Sequence, residues 1–107
     1  LPDASTLADM AASFQEAVVD VLVVKAIRAL VRTGSRCLVV AGGVACNSRL
    51  RVRLQEAASA EGARLFIPAP RYCSDNAAMI AAMGFNRLQK GDTSTLDLNA
   101  RPTWEGF

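Results

Sequence analysis

Residues Leu38-Val39-Val40-Ala41 are apolar without alternation, and the chain then meets two adjacent glycines, Gly42 and Gly43. A continuous apolar run bounded by a turn signal fits an interior parallel strand covered on both faces, whereas a strand with one wet face alternates. The spacing predicts a strand over Cys37 to Ala41 and a helix opening near Asn47. Paired glycines remove two Cβ atoms, so backbone there can pass close to a flat ligand such as a nucleoside. The following helix offers unpaired N–H groups and the positive end of its dipole to an anion. The same pair also fits a plain strand-to-helix turn that needs glycine only for a positive φ, because Gly-Gly alone is weak evidence. At this level both readings stand.

The flanks organise around that strand. Leu7, Met10, Phe14, Val18, Val21, Leu22, Lys25 and Ala29 recur with helical period, and Gly34 is a fitting stop for a helix from about Leu7 to Thr33. The β-branched run Val18 to Val24 favours strand, but the helical period continues on both sides of it. A helix apolar on nearly every face is expected to be buried on nearly every face. A second helix is expected from about Asn47 to Ala60, with Leu50, Leu54, Ala57 and Ala58 inward and Gly62 beyond it. Leu65-Phe66-Ile67 reads as a second short strand, stopped by Pro68-Ala69-Pro70. Asp75 or Ser74 can cap a last helix reaching about Lys90, with Met79, Ile80, Met83 and Leu88 inward. From Asp92 to Phe107 no period is visible, and Trp104 is the residue best able to pin the tail down.

The order is helix, strand, helix, strand, helix: an α/β unit with parallel strands. Two strands leave both as edges, and an all-apolar edge invites pairing with another chain. The chain therefore reads as part of a larger α/β domain that could self-associate through its strand edges. Its 107 residues make one partial domain at most. With 51% apolar and 21% charged residues, it is neither disordered nor built for a membrane. No apolar run approaches the roughly 20 residues of a spanning helix. A net charge of +2 is too small to imply nucleic acid by itself, although Arg49, Arg51 and Arg53 cluster. A solvated helix flank explains that cluster equally well. Cys37, Cys46 and Cys73 are odd in number and lack CxxC spacing, so neither a disulfide framework nor a zinc knuckle is indicated. The start, Leu-Pro-Asp, carries neither an initiator methionine nor a signal-peptide pattern, and reads as the middle of a cytoplasmic protein.

A second constellation, Arg71-Tyr72-Cys73-Ser74-Asp75-Asn76, sets a carboxylate where a proline-stiffened loop turns into a helix. Such a carboxylate is either a helix cap or a ligand for a metal or hydroxyl. Ligands of parallel α/β sheets bind at the carboxyl ends of the strands. The loops Gly42–Asn47 and Pro68–Asp75 both leave those ends, so both are expected to face one crevice. The sequence holds no histidine, which excludes a catalytic triad or a His-rich metal site within it.

Four segments, in order, resemble one family. They are Ala12-Ser13-Phe14-Gln15-Glu16-Ala17-Val18; Leu38 to Ala45 with Asn47, Arg49 and Leu50; Tyr72-Cys73-Ser74-Asp75-Asn76; and Asp97 to Pro102 with Trp104. Together they look like the C-terminal portion of the tRNA adenosine threonylcarbamoyltransferases, also known as glycoproteases or O-sialoglycoprotein endopeptidases. The resemblance implies a lobe of the actin-like, sugar-kinase-like ATPase fold. It implies ATP or threonylcarbamoyl-adenylate as the nucleotide, and transfer of a threonylcarbamoyl group from the adenylate to N6 of an adenosine next to the tRNA anticodon. Gly42 and Gly43 would contact adenosine, Asn47 the substrate or nucleotide, and Asp75 would be one ligand of a divalent metal, iron or zinc. That metal would orient the donor and polarise its carbonyl. The partners implied are tRNA and the accessory subunits of a modification complex, with this segment inactive alone. The older family name implies a metalloprotease instead, and a non-catalytic lobe holding nucleotide or a partner is a third alternative. The family usually reads Asp-Asn-Gly-Ala-Met where this chain has Ala77. Alanine suits that position if it is helical and obstructs it if backbone must approach a ligand.

Overall fold

Asp3 sets the start of the first helix. Its backbone is extended, and its carboxylate accepts the Thr6 N–H at 2.7 Å, so α1 runs Ala4–Thr33. The computed structural model describes residues 2–100; Trp104 and the end of the fourth resembling segment lie outside them. Gly34 ends α1 at φ 64°, donating to Val31 O while Ser35 N–H reaches back to Leu30 O. Only glycine adopts that left-handed turn without strain. The valine run stays helical throughout. Val19 and Val23, one turn apart, are buried.

Strand β1, Cys37–Val39, pairs in parallel with β2, Arg64–Phe66, in the register Cys37↔Arg64, Leu38↔Leu65 and Val39↔Phe66. One further bond, Val40 N–H to Phe66 O at 3.0 Å, extends the pairing. Helix α2, Ser48–Ala60, makes the crossover between the strands. Val19, Val23, Leu50 and Leu54 form the core, with Ala57, Leu38, Val40 and Leu65 packed against them. Each buried valine or leucine contributes roughly 1.5–3 kcal/mol. The expected inner face of α2 is therefore the observed one.

Two expectations of burial need correction. The first strand reads as covered on both faces, yet Val39 is 68% exposed, and Phe66 beside it on β2 is 50% exposed. Their partners on the opposite face, Leu38 and Leu65, pack on the core. Likewise α1 buries only Val19, Val23 and Leu30, while Leu7, Met10 and Phe14 lie open. Within the first unit, one helix and one sheet face bury one stripe of a 30-residue helix.

The chain divides into two compact units, Leu1–Asp75 and Asn76–Phe107. In the second, α3 runs Ala77–Gln89. Its cap is Asn76, whose Oδ1 accepts Met79 N–H at 3.1 Å. The expected cap, Asp75 or Ser74, is thus one or two residues early, because the extended backbone of Asn76 places the i to i+3 bond there. Met79, Ile80, Met83 and Leu88, expected inward, are all exposed. Residues 92–100 form no helix or strand, in keeping with their lack of period. No helix among the described residues is long and apolar enough to cross a membrane.

Candidate functional site

Two loops leave the carboxyl ends of β1 and β2, and the first is built around Gly42. Its φ of 95° with ψ 168° lies where only glycine sits comfortably. Gly42 O accepts Ala45 N–H at 3.0 Å, and a 3-10 turn, Gly43–Cys46, intervenes before α2. The helix therefore does not follow the glycine pair directly. Gly43 has an ordinary φ, and a Cβ placed on it meets nothing within 4 Å. The turn conformation explains Gly42. It does not explain Gly43, whose missing side chain leaves open space on the loop.

Asn47 ends the turn and caps α2. Its Oδ1 accepts Leu50 N–H at 2.9 Å, and its Nδ2 donates to Gln15 Oε1 on α1 at 2.9 Å. One proton on the amide nitrogen and one lone pair on the oxygen remain beyond these two bonds. Asn47 also borders a cavity of about 230 Å³, walled mainly by Phe14, Val18, Leu22 and Val44. The glycine turn thus sits at the rim of an apolar recess.

The second loop runs from Pro68 through a 3-10 turn, Pro70–Tyr72, to Asp75. Asp75 is exposed, and its carboxylate has no hydrogen-bond or ion-pair partner among the described residues. Because Asn76 caps α3, Asp75 is not engaged as the cap. Among the described residues no group of three or more His, Cys, Asp or Glu side chains is arranged to hold a metal ion. Asp75 offers one oxygen donor, and the described residues do not fit a metal unaided.

The arginine cluster, readable in sequence as a solvated flank, is more specific than that. Arg49 grips Glu16 of α1 in bidentate fashion at 2.7 and 2.8 Å. Arg53 bridges Glu16 at 2.6 Å and Asp20 at 2.9 Å. Hydrogen bonding from Arg49 holds the Glu16 carboxyl below the ordinary glutamate range, against a smaller opposing effect of desolvation. Two acids at i, i+4 facing two arginines at i, i+4 is a legible pattern in hindsight. Arg51 points elsewhere. Its Nε donates to Ala45 O in the glycine loop, and its Nη2 to Pro68 O at 2.7 Å and Cys73 Sγ at 3.3 Å in the second loop. Cys46 Sγ adds a weak bond to Pro70 O at 3.5 Å. The expected convergence of the two loops is thus observed, and Arg51 is the residue that sequence reasoning missed.

A β–α–β unit with two loops joined at the carboxyl edge of a parallel pair defines an α/β protein. Residues 2–82 match the model of the tRNA N6-adenosine threonylcarbamoyltransferase family, and the chain belongs to that family. It is 53% identical over 98 residues to the protein of that name from Syntrophotalea carbinolica, covering 92% of this chain and 29% of the relative. Namesakes from Geobacter sulfurreducens and Anaeromyxobacter sp. are 52% and 51% identical, each over 97% of this chain. The chain spans about a third of the length of these relatives, 29 to 32%. Ala77, the departure noted in the sequence, is the first residue of α3, where alanine is well suited.

Proposed function

We propose that this chain serves, as the C-terminal portion of a longer enzyme, in transferring a threonylcarbamoyl group to N6 of a tRNA adenosine beside the anticodon. In that reaction the N6 amine attacks the carbamoyl carbonyl of threonylcarbamoyl-adenylate. An N–C bond forms, the C–O bond to the nucleotide breaks, and N6 gives up a proton. The observation that carries the reading is the joining of the Gly42–Asn47 and Pro68–Asp75 loops at one sheet edge by Arg51. The family match supports the choice of reaction.

In this reading the chain is one part of an actin-like, sugar-kinase-like lobe. Gly42 and Gly43 lie against the adenosine of ATP or of the adenylate, and open space at Gly43 supports that role. Asn47 uses its remaining amide proton or lone pair on the nucleotide. Asp75 supplies one ligand of a divalent metal, iron or zinc, whose other ligands come from outside the described residues. The enzyme works in the cytoplasm on tRNA, with the accessory subunits of a modification complex.

The test is Asp75→Ala in the complete enzyme. The variant is expected to keep its circular dichroism, lose most of its bound metal and lose tRNA modification. Metal content equal to wild type refutes the ligand assignment. Retained modification refutes the role of the loop altogether.

A further inference from the structure

We infer that Arg51 is the positioning residue of the candidate site, fixing the glycine loop and the Asp75 loop at one spacing; this rests on the transferase reading above. Three observations carry it. First, the β1–β2 pairing ends at the bond from Val40 N–H to Phe66 O, so the ladder does not hold the loops beyond that point. Second, the half-buried Arg51 guanidinium donates to Ala45 O on one loop, and to Pro68 O and Cys73 Sγ on the other. A guanidinium is a rigid planar fork, so bonds from Nε and Nη2 fix the two acceptors relative to each other and not merely to the helix. Third, two of the three acceptor residues are buried, Ala45 at 2% and Cys73 at 5% exposed, and the third, Pro68, is half-buried. Gly42 lies three residues before one anchor, and Asp75 two residues after the other. Arg49 and Arg53 on the same helix make no comparable link, since both turn to acids on α1.

A positioning role differs from mere stabilisation in what it protects. Loss of a general staple loosens the whole unit, whereas loss of Arg51 should leave only the weak Cys46 Sγ–Pro70 O bond between the two loops and keep the α1–α2 core intact. Misplacement of reacting groups by about 1 Å can cost on the order of a hundredfold in rate. Lysine is a single point donor and can reach one loop but not fix both.

The experiment compares Arg51→Gln, Arg51→Lys and the control Arg53→Gln in the complete transferase that contains this segment. Amide hydrogen exchange is read at Ala45–Asn47, at Tyr72–Asp75, and along α1 and α2. Steady-state kcat and KM for tRNA are read alongside. For Arg51→Gln, exchange is expected to rise about tenfold or more in both loops with α1 and α2 unchanged. Its kcat is expected to fall about tenfold to a hundredfold, with KM for tRNA within about twofold of wild type. Arg51→Lys restores protection at one loop only and recovers little kcat. Arg53→Gln moves neither loop nor kcat. Exchange rising equally along α1 and α2, or loops loosened with kcat unchanged, overturns the positioning role alone. A wild-type enzyme that folds, binds tRNA and transfers nothing overturns the transferase reading, and the positioning role with it.

Discussion

Helices α2 and α3 are near copies of each other by local rules, yet they differ in everything that depends on packing. Both have 13 residues, both open on an asparagine cap whose Oδ1 takes the N–H three residues on, and both are followed by a glycine. Gly62 and Gly91 each donate to the carbonyl three residues back, while the next residue reaches back five. Both helices also carry an apolar face. That of α2 is buried at Leu50, Leu54 and Ala58, whereas α3 has no buried residue. Caps and stops decide where a helix lies; they say nothing about whether its apolar stripe finds a partner.

The sharpest way to break this comparison is to truncate one large side chain on each stripe. Leu54→Ala removes a 2%-exposed side chain from the core beside Val19 and Val23 and is expected to cost roughly 2–5 kcal/mol. Ile80→Ala truncates a 75%-exposed side chain and is expected to change stability by no more than about 0.5 kcal/mol. Urea unfolding followed by circular dichroism measures both. An Ile80→Ala cost near that of Leu54→Ala means that another surface covers α3 in solution.

The same contrast marks what the sequence can convey. Helix ends were legible because their signals are local: Gly34 and Gly62 stop helices as their positions predict, and α3 ends at Gln89, one residue from the expected Lys90. The parallel pairing followed from the order of elements, and the inner face of α2 from its period. What failed was burial inferred from apolarity, on α1, α3 and the outer sheet face, because burial needs a second surface that one segment does not encode. The cap of α3 was missed by one residue, since Ser74, Asp75 and Asn76 are all competent caps and only backbone geometry selects among them. Of the site, the meeting of the two loops was legible from the carboxyl-end rule. The guanidinium that ties them was not. Arg51 sits between Arg49 and Arg53, alternating with Leu50 and Val52 and not distinguished from its neighbours by type, and its acceptors are backbone carbonyls 6 and 17 residues away. Carbonyls carry no sequence signature.

The two caps sharpen the comparison at a finer scale. Asn76→Ala removes one cap and is expected to cost about 1 kcal/mol locally, within a range of roughly 0.5–2 kcal/mol. Asn47→Ala removes an equivalent cap and also the bond from Nδ2 to Gln15, worth about 0.5–1.5 kcal/mol more. Amide exchange in the first turn of each helix reads the two separately. Equal losses would mean that the Gln15 link contributes nothing, and that α1 and α2 are held by the apolar core and the ion pairs alone.

The smallest expected effect concerns those ion pairs, and its sign follows from the Glu16 carboxyl. Hydrogen bonding from Arg49, with help from the Arg49 and Arg53 charges, holds it below the ordinary glutamate range. A carboxyl depressed in the folded state adds stability that is complete above its unfolded value and fades as pH falls through its folded value. The α1–α2 contact is therefore expected to weaken on acidification through and below the usual carboxylate range, and Glu16→Gln to flatten that part of the curve. Asp3 is depressed too, by the Thr6 N–H, so the variant removes one share of the acid sensitivity and leaves another. At the end of α3 Arg87 pairs with Asp92, just beyond the helix, at 3.4 Å and about 60% exposed on each side, a geometry that high salt readily screens. Thermal melts at several pH values and two salt concentrations separate the cases. If Glu16→Gln leaves the acid limb unchanged, the bidentate grip of Arg49 is a feature of contact without energetic weight, and the α1–α2 pair resembles its counterpart on α3 after all.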